Sequence, residues 1–360
     1  MTDRDRLKNM MEALLAWYPE HARDLPWRKD REPYHVWLSE IMLQQTRVEA
    51  VREYYARFLN ALPDIPDLAE VDDDRLMKLW QGLGYYNRAR NLKKAAEVIC
   101  RDYDGSFPKE FEEIRNLPGI GDYTAGAIGS ICFDLPTPAV DGNVLRVYAR
   151  LLADSSNIDK ASTKKTVKEA LAAVYPREHA GMATQSLMEL GACVCVPNGA
   201  PKCESCPLAH LCLSKKQGTW NDFPVREKKK KRRQEIKQVY VLLCEDKVAI
   251  VKRPEKGLLS GLWEFPNRDL PDVIENEKKK TQLAADTVTS YAAEPLRLMM
   301  YTEYTHIFTH VEWEMTAYYF ECAHMPDVFT WVTRDELEAD YALPSAFAPF
   351  VKKLPETGKL

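Results

Sequence analysis

The stretch Leu117-Pro118-Gly119-Ile120-Gly121-Asp122-Tyr123-Thr124 separates two helical segments of the chain. Two glycines with one apolar residue between them predict a tight hairpin, because glycine tolerates positive φ without steric cost. We expect a helix over 111–116 before the hairpin and a helix of small residues over 123–132 after it. The start of a helix presents free backbone N–H groups, and these and the helix dipole favour a bound phosphate. A simple connector between two packed helices is the alternative.

A proline-rich loop follows and ends at Asp141, twenty residues after Gly121. It delivers one carboxylate just before another predicted helix, over 143–152. Asp141 suits the N-cap of that helix, and a capping role is compatible with a role in chemistry.

Composition limits the class of protein. A chain of 360 residues with 45% hydrophobic residues suggests two globular domains. The net charge of −4 gives no overall nucleic-acid signature, so any such signature is local. There is no run of eighteen apolar residues and no signal peptide. Nine cysteines in such a chain indicate a reducing compartment and metal or cluster chemistry.

The pattern along the chain predicts three segments. Residues 1–220 read as an all-α domain, which includes a cysteine-rich loop at 193–213. Residues 221–237 read as a basic linker, which is either solvated or lies along a phosphate backbone. Residues 238–360 read as an α+β domain. It opens with a hairpin signal, in which 239–244 and 248–251 flank Glu245-Asp246-Lys247.

Four cysteines stand close together with the spacing C-x7-C-x2-C-x5-C: Cys195, Cys203, Cys206 and Cys212. Four thiolates in so short a segment can hold one tetrahedral zinc ion or one [4Fe–4S] cluster. Zinc ribbons normally pair two C-x2-C knuckles, and the single knuckle here favours iron–sulfur. Cys193 is an alternative to Cys195.

The hairpin, the Asp141 loop and the cysteines, in this order, resemble the helix-hairpin-helix DNA glycosylase superfamily, in its iron–sulfur branch. The stretches 25–28 (LPWR) and 37–48 (WLSEIMLQQTRV) look like the N-terminal signature of the MutY-type adenine DNA glycosylases. Tyr123 stands where endonuclease III carries its Schiff-base lysine. The chain also continues into a segment similar to the MutT/Nudix fold, which endonuclease III lacks.

Two details differ from the family pattern. The first cysteine spacing is seven residues, where the family usually has six, and the longer loop contains Asn198-Gly199. The C-terminal recognition triplet, commonly Phe-Ser-His, is Phe308-Thr309-His310 here. It keeps a hydroxyl and adds a methyl group.

The resemblance implies a base-excision repair enzyme that removes adenine mispaired with 8-oxoguanine or guanine. Breaking a glycosidic bond is helped by an acid at the leaving group and a carboxylate at the sugar. Glu40 matches the acid that protonates adenine at N7, and Asp141 matches the sugar carboxylate. Tyr123 and Asn143 match residues that assist at the sugar, although Tyr123 also suits plain packing. Without a lysine at that position we expect a monofunctional enzyme.

The sequence also predicts an environment for the acid. On one continuous helix, Glu40, Gln44 and Arg47 form a stripe beside an apolar one. An acid at the margin of a core helix is partly desolvated, and this raises its pKa. A lone helical glutamate without this context would be solvated.

The target base must leave the duplex and enter a pocket. The residues that match the family's adenine pocket are Trp27, Arg28, Leu43, Val48 and Gln185. Those that match contacts to the opposite base, the gap or the DNA backbone are Gln45, Thr46, Leu83, Tyr85, Gly119, Gly121, Phe308, Thr309 and His310. The apolar pocket residues also suit core packing, and the last three also suit a structural β-turn.

The C-terminal segment resembles a Nudix domain that lacks its catalytic site. Residues 257–266 are similar to the stretch before a Nudix signature, but no R-E-x-x-E-E run follows. The interval 272–282 has only Glu275 and Glu277. We therefore expect a lesion-recognition module without a magnesium site.

Other interpretations are an endonuclease III-like glycosylase/lyase on oxidised pyrimidines, and a non-catalytic iron–sulfur protein that binds DNA. A third is nucleotide hydrolysis by the C-terminal domain. Under the favoured interpretation we expect a monomer that binds double-stranded DNA and carries a [4Fe–4S] cluster. We expect no membrane association and a location at the nucleoid in a bacterial cytoplasm.

Overall fold

A computed structural model describes residues 1–227, 231–272, 274 and 276–355 of the chain. The chain divides into two compact units. The first comprises 1–71 and 90–228, and the second comprises 72–89 and 229–360. No helix among the described residues has both the length and the apolar character that a membrane span requires.

Helices dominate the chain up to residue 217, as predicted for the all-α domain. They are α1 (Asp3–His21), α2 (Pro33–Leu43), α3 (Val48–Ala61), α4 (Ile65–Glu70), α5 (Asp73–Trp80), α6 (Asn87–Asp102), α7 (Phe111–Asn116), α8 (Asp122–Phe133), α9 (Gly142–Leu152), α10 (Ala161–Ala172), α11 (Ala180–Cys193) and α12 (Leu213–Gln217). Helix α5 and the first residues of α6 belong to the second unit.

Glycines bring three backbone segments of the first unit together around α8. A Cβ added at Gly126 of α8 would lie 2.6 Å from the carbonyl oxygen of Pro138, in the loop that ends at Asp141. A Cβ at Gly181 of α11 would lie 2.8 Å from the carbonyl oxygen of Ser130 of α8. Larger side chains would therefore push these segments apart. The small residues of α8 fix where the Asp141 loop runs.

The predicted hairpin between α7 and α8 is present, but its two glycines differ in whether the backbone requires glycine. Gly119 has φ +76°, and a Cβ there would lie 2.5 Å from the Cβ of Asn91. Gly121 has φ −101° and is the N-cap of α8. The expectation of positive φ is therefore wrong for Gly121, whose extended backbone any residue can adopt. A side chain there would meet open space.

The second unit is built on a mixed sheet, in agreement with the predicted α+β domain. Its strands are β1 (Arg233–Cys244), β2 (Lys247–Lys252), β3 (Trp263–Glu264), β4 (Asn267–Leu270), β5 (Pro295–Ile307), β6 (Val311–Cys322) and β7 (Thr330–Thr333), and its later helices are α13 (Glu277–Ser290), α14 (Arg334–Asp340) and α15 (Ala348–Val351). The order is β3-β2-β1-β6-β5, with β4 paired to β1 and β7 to β2. Strands β1 and β6 are parallel, and the other pairs are antiparallel.

Each face of this sheet is covered by helix. Ala284 and Val288 of α13 pack on one face, and Phe347 and Phe350 pack on the other. The predicted hairpin of β1 and β2 is confirmed, with Cys244 opposite Lys247. Helix α13 begins at Glu277, while Val273 and Glu275 lie outside the described residues.

The predicted linker 221–237 is wrong in its last five residues. Strand β1 begins at Arg233, because 233–237 pair in parallel with 311–315 of β6. The backbone partners supplied by β6 outweigh the high local charge, which alone indicated a solvated segment. Residues 228–230 of the predicted linker lie outside the described part of the chain.

Polar anchors explain why 72–89 belongs to the second unit. Asp74 of α5 accepts hydrogen bonds from Lys252 Nζ at 2.8 Å and from Trp263 Nε1 at 3.2 Å. Gln81 donates to the carbonyl oxygen of Leu343 at 2.9 Å. The loop that follows α5 is therefore part of the body that carries β1–β7.

Candidate active site

A cavity of about 1390 Å³ opens in the first unit and is large enough for an extruded nucleotide. Its wall combines the turn after α1, helix α2, the loop 44–48, the start of α8, the Asp141 loop and α11. The predicted residues that line it are Trp27, Arg28, Glu40, Leu43, Gln45, Thr46, Val48, Tyr123, Asp141, Asn143 and Gln185. Residues far apart in sequence thus surround one space.

Glu40 lies on α2 and faces the cavity, but its helix is shorter than predicted. Helix α2 ends at Leu43, and Gln45 has φ +59°, which an α-helix does not accommodate. The proposed stripe of Glu40, Gln44 and Arg47 on one helix is therefore wrong. Gln44 is the C-cap of α2, and Arg47 is the N-cap of α3.

Burial governs the chemistry of Glu40. Its side chain is only 6% exposed, and the Tyr123 hydroxyl donates to its Oε2 at 2.6 Å. Burial raises the pKa of Glu40 to about 7, although the Tyr123 hydrogen bond and the charge of Arg28 oppose this. The nearby charge of Asp141 acts in the same direction as burial. Glu40 can therefore hold a proton near neutral pH and release it in the cavity.

Asp141 is the N-cap of α9, as the sequence suggested, and it also lines the cavity. Its Oδ1 accepts from the backbone N–H of Val144 at 2.8 Å, and its Oδ2 accepts from Asn143 Nδ2 at 2.7 Å. The pKa of Asp141 is raised overall by burial, and these two hydrogen bonds oppose the rise in part. The carboxylate is thus fixed in orientation and keeps lone pairs for a ligand.

Arg146, which sequence analysis missed, connects this carboxylate to the cysteine-rich loop. Its Nη2 donates to Asn143 Oδ1 at 2.8 Å and to the carbonyl oxygen of Gly191 at 2.7 Å. Its Nε donates to the carbonyl oxygen of Cys195 at 2.8 Å. The only signal in the sequence was an arginine one turn after the helix start, which is too common to be informative.

A second set of missed residues forms the wall around Arg28 and Gln185. Glu189 of α11 accepts from Arg23 Nε at 2.6 Å and from Arg28 Nη2 at 2.7 Å, and its carboxylate is wholly buried. Tyr18 donates to Gln185 Oε1 at 2.5 Å. Glu189 stands one turn after Gln185 on α11, and this spacing was the available signal.

The four predicted cysteines Cys195, Cys203, Cys206 and Cys212 line one small cavity, of about 30 Å³. Cys193 does not line it and instead directs its Sγ to Glu189 Oε1, 3.4 Å away. The longer first spacing is accommodated because Gly199 has φ +76° and Lys202 N donates to the carbonyl oxygen of Val194 at 2.9 Å. Within the described ranges, no group of three His, Cys, Asp or Glu is arranged to hold a single metal ion.

The cysteine cavity is also positively charged. Arg150, Lys202 and Lys215 line it with the four sulfurs, and Arg150 Nη1 lies 3.4 Å from Cys195 Sγ. Burial raises the pKa of the Cys203, Cys206 and Cys212 thiols, and the charges of Lys215 and Arg150 oppose this rise at Cys203. Four soft donors around one cavity, surrounded by positive charge, fit an anionic iron–sulfur cluster.

The second unit contains the predicted recognition triplet in the turn between β5 and β6. Phe308 packs against Trp313, with ring centroids 4.8 Å apart, and its N–H closes the turn on the carbonyl oxygen of Val311. Thr309 and His310 are exposed. Phe308 thus anchors the turn, and the next two side chains are presented to solvent.

The loop 82–86 (GLGYY) contains Leu83 and Tyr85, which are predicted to fill the gap left by the extruded base; we call it the wedge loop, and it lies in the same unit. Gly82, Gly84 and Tyr85 all have positive φ, and the carbonyl oxygen of Gly84 accepts from Trp80 Nε1 at 3.1 Å. Tyr85 is 45% exposed, and its hydroxyl is hydrogen-bonded to Thr309 Oγ1. Leu83 is buried. Of the two predicted wedge residues, Tyr85 is therefore the one that stands at the surface.

Known proteins share features with this chain. The family described as "HhH-GPD superfamily base excision DNA repair protein" matches 38–176, and "NUDIX domain" matches 238–353. The adenine DNA glycosylase of Mus musculus is 33% identical over 85% of this chain and 69% of its own length. That of Buchnera aphidicola from Acyrthosiphon pisum is 36% identical over 71% of this chain and 73% of its own length. The chain belongs to the adenine DNA glycosylase family.

The Arabidopsis thaliana adenine DNA glycosylase is 37% identical over 83% of this chain, which spans 55% of that relative's length. Among solved structures, a thermostable thymine-DNA glycosylase has a TM-score of 0.54 at 28% identity, and covers 59% of this chain and 98% of its own. A trapped endonuclease III–DNA covalent intermediate has a TM-score of 0.52 at 26% identity, and covers 61% of this chain and 99% of its own.

These comparisons confirm the predicted superfamily and the fold class, a helical glycosylase domain followed by a Nudix-like domain. The adenine DNA glycosylase family groups enzymes of base-excision repair, and the prediction of a DNA glycosylase is confirmed. The roles of individual residues stay predictions.

Proposed function

We propose that this enzyme hydrolyses the N-glycosidic bond of adenine mispaired with 8-oxoguanine or guanine in double-stranded DNA. The observation that carries the proposal is that Glu40 and Asp141 line one cavity of nucleotide size. The test is base release from a duplex with one adenine opposite 8-oxoguanine, with the same duplex carrying a thymine in place of that adenine as control. Failure of the purified protein to release adenine would refute the proposal.

Glu40 is the acid in this scheme. The C1′–N9 bond breaks, its electron pair leaves with the base, and the proton of Glu40 passes to adenine N7. Because the Tyr123 hydroxyl occupies Oε2, it leaves Oε1 to carry the proton toward the base. Glu40→Gln keeps the shape of the side chain and cannot donate this proton as an acid. We expect it to lower the single-turnover rate by about 10²-fold or more.

Asp141 faces the positive charge that develops at C1′. Its carboxylate is held by Asn143 and by the N–H of Val144, so it does not need to reorganise during the reaction. Water then adds its oxygen to C1′, and the proton it loses restores the acid. Asn143→Ala should lower the rate by misorienting Asp141, while DNA binding is kept.

Tyr123 offers no amine at the position of the endonuclease III lysine. The proposed enzyme therefore forms no Schiff base and releases the base without strand cleavage. Efficient covalent trapping with borohydride on an oxidised pyrimidine would instead favour the glycosylase/lyase alternative. A non-catalytic DNA-binding protein would be indicated if wild type and Glu40→Gln gave the same base release.

We also propose that the resident cofactor is a [4Fe–4S] cluster held by Cys195, Cys203, Cys206 and Cys212. Such a cluster would cross-link the loop and hold the carbonyl oxygen of Cys195 against Arg146. The chemistry it supplies when bound is thiolate ligation of iron, which fixes the loop. Iron and sulfide analysis of the purified protein, compared with Cys203→Ser, tests this. Zinc in place of iron would refute it.

The base opposite adenine is proposed to be read by side chains of both units. In the second unit these are Tyr85, Thr309 and His310, and in the first unit they are Gln45 and Thr46. Tyr85 and Thr309 already share a hydrogen bond, so the wedge and the recognition turn act as a pair. Tyr85→Phe should reduce the preference for 8-oxoguanine over guanine more than the rate itself. Magnesium-dependent hydrolysis of an oxidised nucleoside triphosphate would favour a different role for this unit. A monomer at the bacterial nucleoid stays part of the proposal.

A further inference from the structure

A buried cluster of charges stands beside the cavity and has no role in the steps above. Glu189 of α11 accepts from Arg23 Nε at 2.6 Å and from Arg28 Nη2 at 2.7 Å. The Glu189 side chain is wholly buried, whereas 34% of Arg23 is exposed. Such a carboxylate is costly to bury unless it is paired, and here two guanidinium groups share it.

Arg28 is the member of the cluster that meets the reaction site. It lines the cavity with Glu40, and its Nη1 donates to the carbonyl oxygen of Arg23 at 3.3 Å. Its guanidinium stands over the Tyr18 ring, 5.7 Å from the centroid. Glu189, the Arg23 carbonyl and the Tyr18 ring therefore fix Arg28 in the wall.

The charged and titratable groups around Glu40 come from three elements. Helix α8 contributes Tyr123 and the Cys132 thiol, the loop before α9 contributes Asp141, and the turn after α1 contributes Arg28. Arg28 is the cation of this set, and its charge lowers the pKa of Glu40. Any group that offsets the charge of Arg28 therefore acts on Glu40.

We infer that Glu189 is a positioning residue that holds Arg28 in the cavity wall and offsets its positive charge where it faces Glu40. The inference rests on the proposed role of Glu40 as the acid. Removing the negative charge of Glu189 favours the ionised form of Glu40 and lowers the pKa of Glu40. Removing the positive charge of Arg23 or Arg28 acts in the opposite direction.

The experiment compares single-turnover adenine release from pH 5 to 9 for wild type, Glu189→Gln and Arg23→Gln, each with its cluster. In Glu189→Gln the alkaline limb of the profile should move to lower pH. The rate at pH 8 relative to pH 6 should then fall about three-fold or more. In Arg23→Gln the limb should stay or move to higher pH. The matched control is Glu264→Gln, which removes a buried carboxylate paired with Arg253 in the second unit and should leave the profile unchanged.

A merely structural role for Glu189 would lower the rate equally at every pH, and that result would overturn the inference. If Glu189→Gln does not fold, Arg28→Gln carries the test, because its alkaline limb must move to higher pH. A readout without catalysis is the free energy of unfolding in urea, measured over pH for proteins that carry Glu40 and for the same proteins with Glu40→Gln. The quantity compared is the pH at which the two free energies begin to differ. Arg28→Gln should move that pH upward. This distinguishes a failure of the inference from a failure of the proposed function.

Discussion

Replacing Glu40 by glutamine should stabilise the folded protein at alkaline pH relative to wild type, although it slows the reaction. In the folded chain the pKa of Glu40 is raised to about 7 from a reference value of 4.5, chiefly by burial. Between these two values the folded state holds a proton that the unfolded state has lost, so stability falls as pH rises. A difference of about 2.5 units corresponds to about 3 kcal/mol at 1.36 kcal/mol per unit. Glutamine, which does not ionise, avoids this loss.

The assay is urea unfolding of wild type and Glu40→Gln at pH 4.5 and pH 8. We expect the variant to gain about 2–3 kcal/mol over wild type between the two pH values, because all other groups titrate alike in both proteins. Glu20→Gln, at the exposed end of α1, is the control and should show no such gain. An unchanged difference between wild type and Glu40→Gln would show that Glu40 is not buried with its proton, and the acid role would lose its physical basis.

Two further substitutions test the hydrogen bond to Glu40 and the hairpin before α8. Tyr123→Phe removes a hydrogen bond to a carboxylate, so the pKa of that carboxylate should rise and the alkaline limb of the rate profile should move up by about one unit. Tyr175→Phe, which loses a buried hydrogen bond to Thr184 outside the cavity, should leave the limb in place, and equal shifts would contradict the reasoning. Gly119→Ala should cost about 2 kcal/mol or more in urea unfolding, since φ is +76° and the new Cβ would overlap Asn91. Gly105→Ala has a similar φ with open space around it and should cost only about 1 kcal/mol; equal losses would contradict the overlap.

Strained backbone marks both places that are proposed to read the base opposite adenine. Gln45 in the first unit has φ +59°, and Tyr85 in the second unit has φ +47°. Neither residue is glycine, so each conformation is unfavourable and must be held by its surroundings. For Tyr85 the hydrogen bonds of Trp80 to Gly84 and of Tyr85 to Thr309 supply part of this support. A positive φ changes the direction of the side chain relative to the preceding helix or loop. This is compatible with the proposed contact of Gln45 and Tyr85 with the base opposite adenine.

Local features of the sequence predicted the helices around the Gly119 turn and the hairpin that follows Cys244. Helical periodicity, the Gly119 turn, the cap at Asp141 and the hairpin after Cys244 each depend on residues near one another in the chain. The cysteine spacing is local as well, and the four sulfurs do line one cavity. Resemblance to a family then supplied the candidate residues. Without it, a helical glutamate and a loop aspartate are too common to single out.

Tertiary packing decided the rest, because burial and partners come from distant segments. The pKa of Glu40 depends on desolvation and on Tyr123, which is 83 residues away in the chain. The pairing of Glu189 with two arginines spans more than 160 residues, and no local pattern indicates which arginines Glu189 contacts. Arg233 to Lys237 read as linker by charge and fold as strand because β6 supplies their backbone partners. Periodicity reports which face of an element is apolar, and only the assembled fold fixes what each polar group meets.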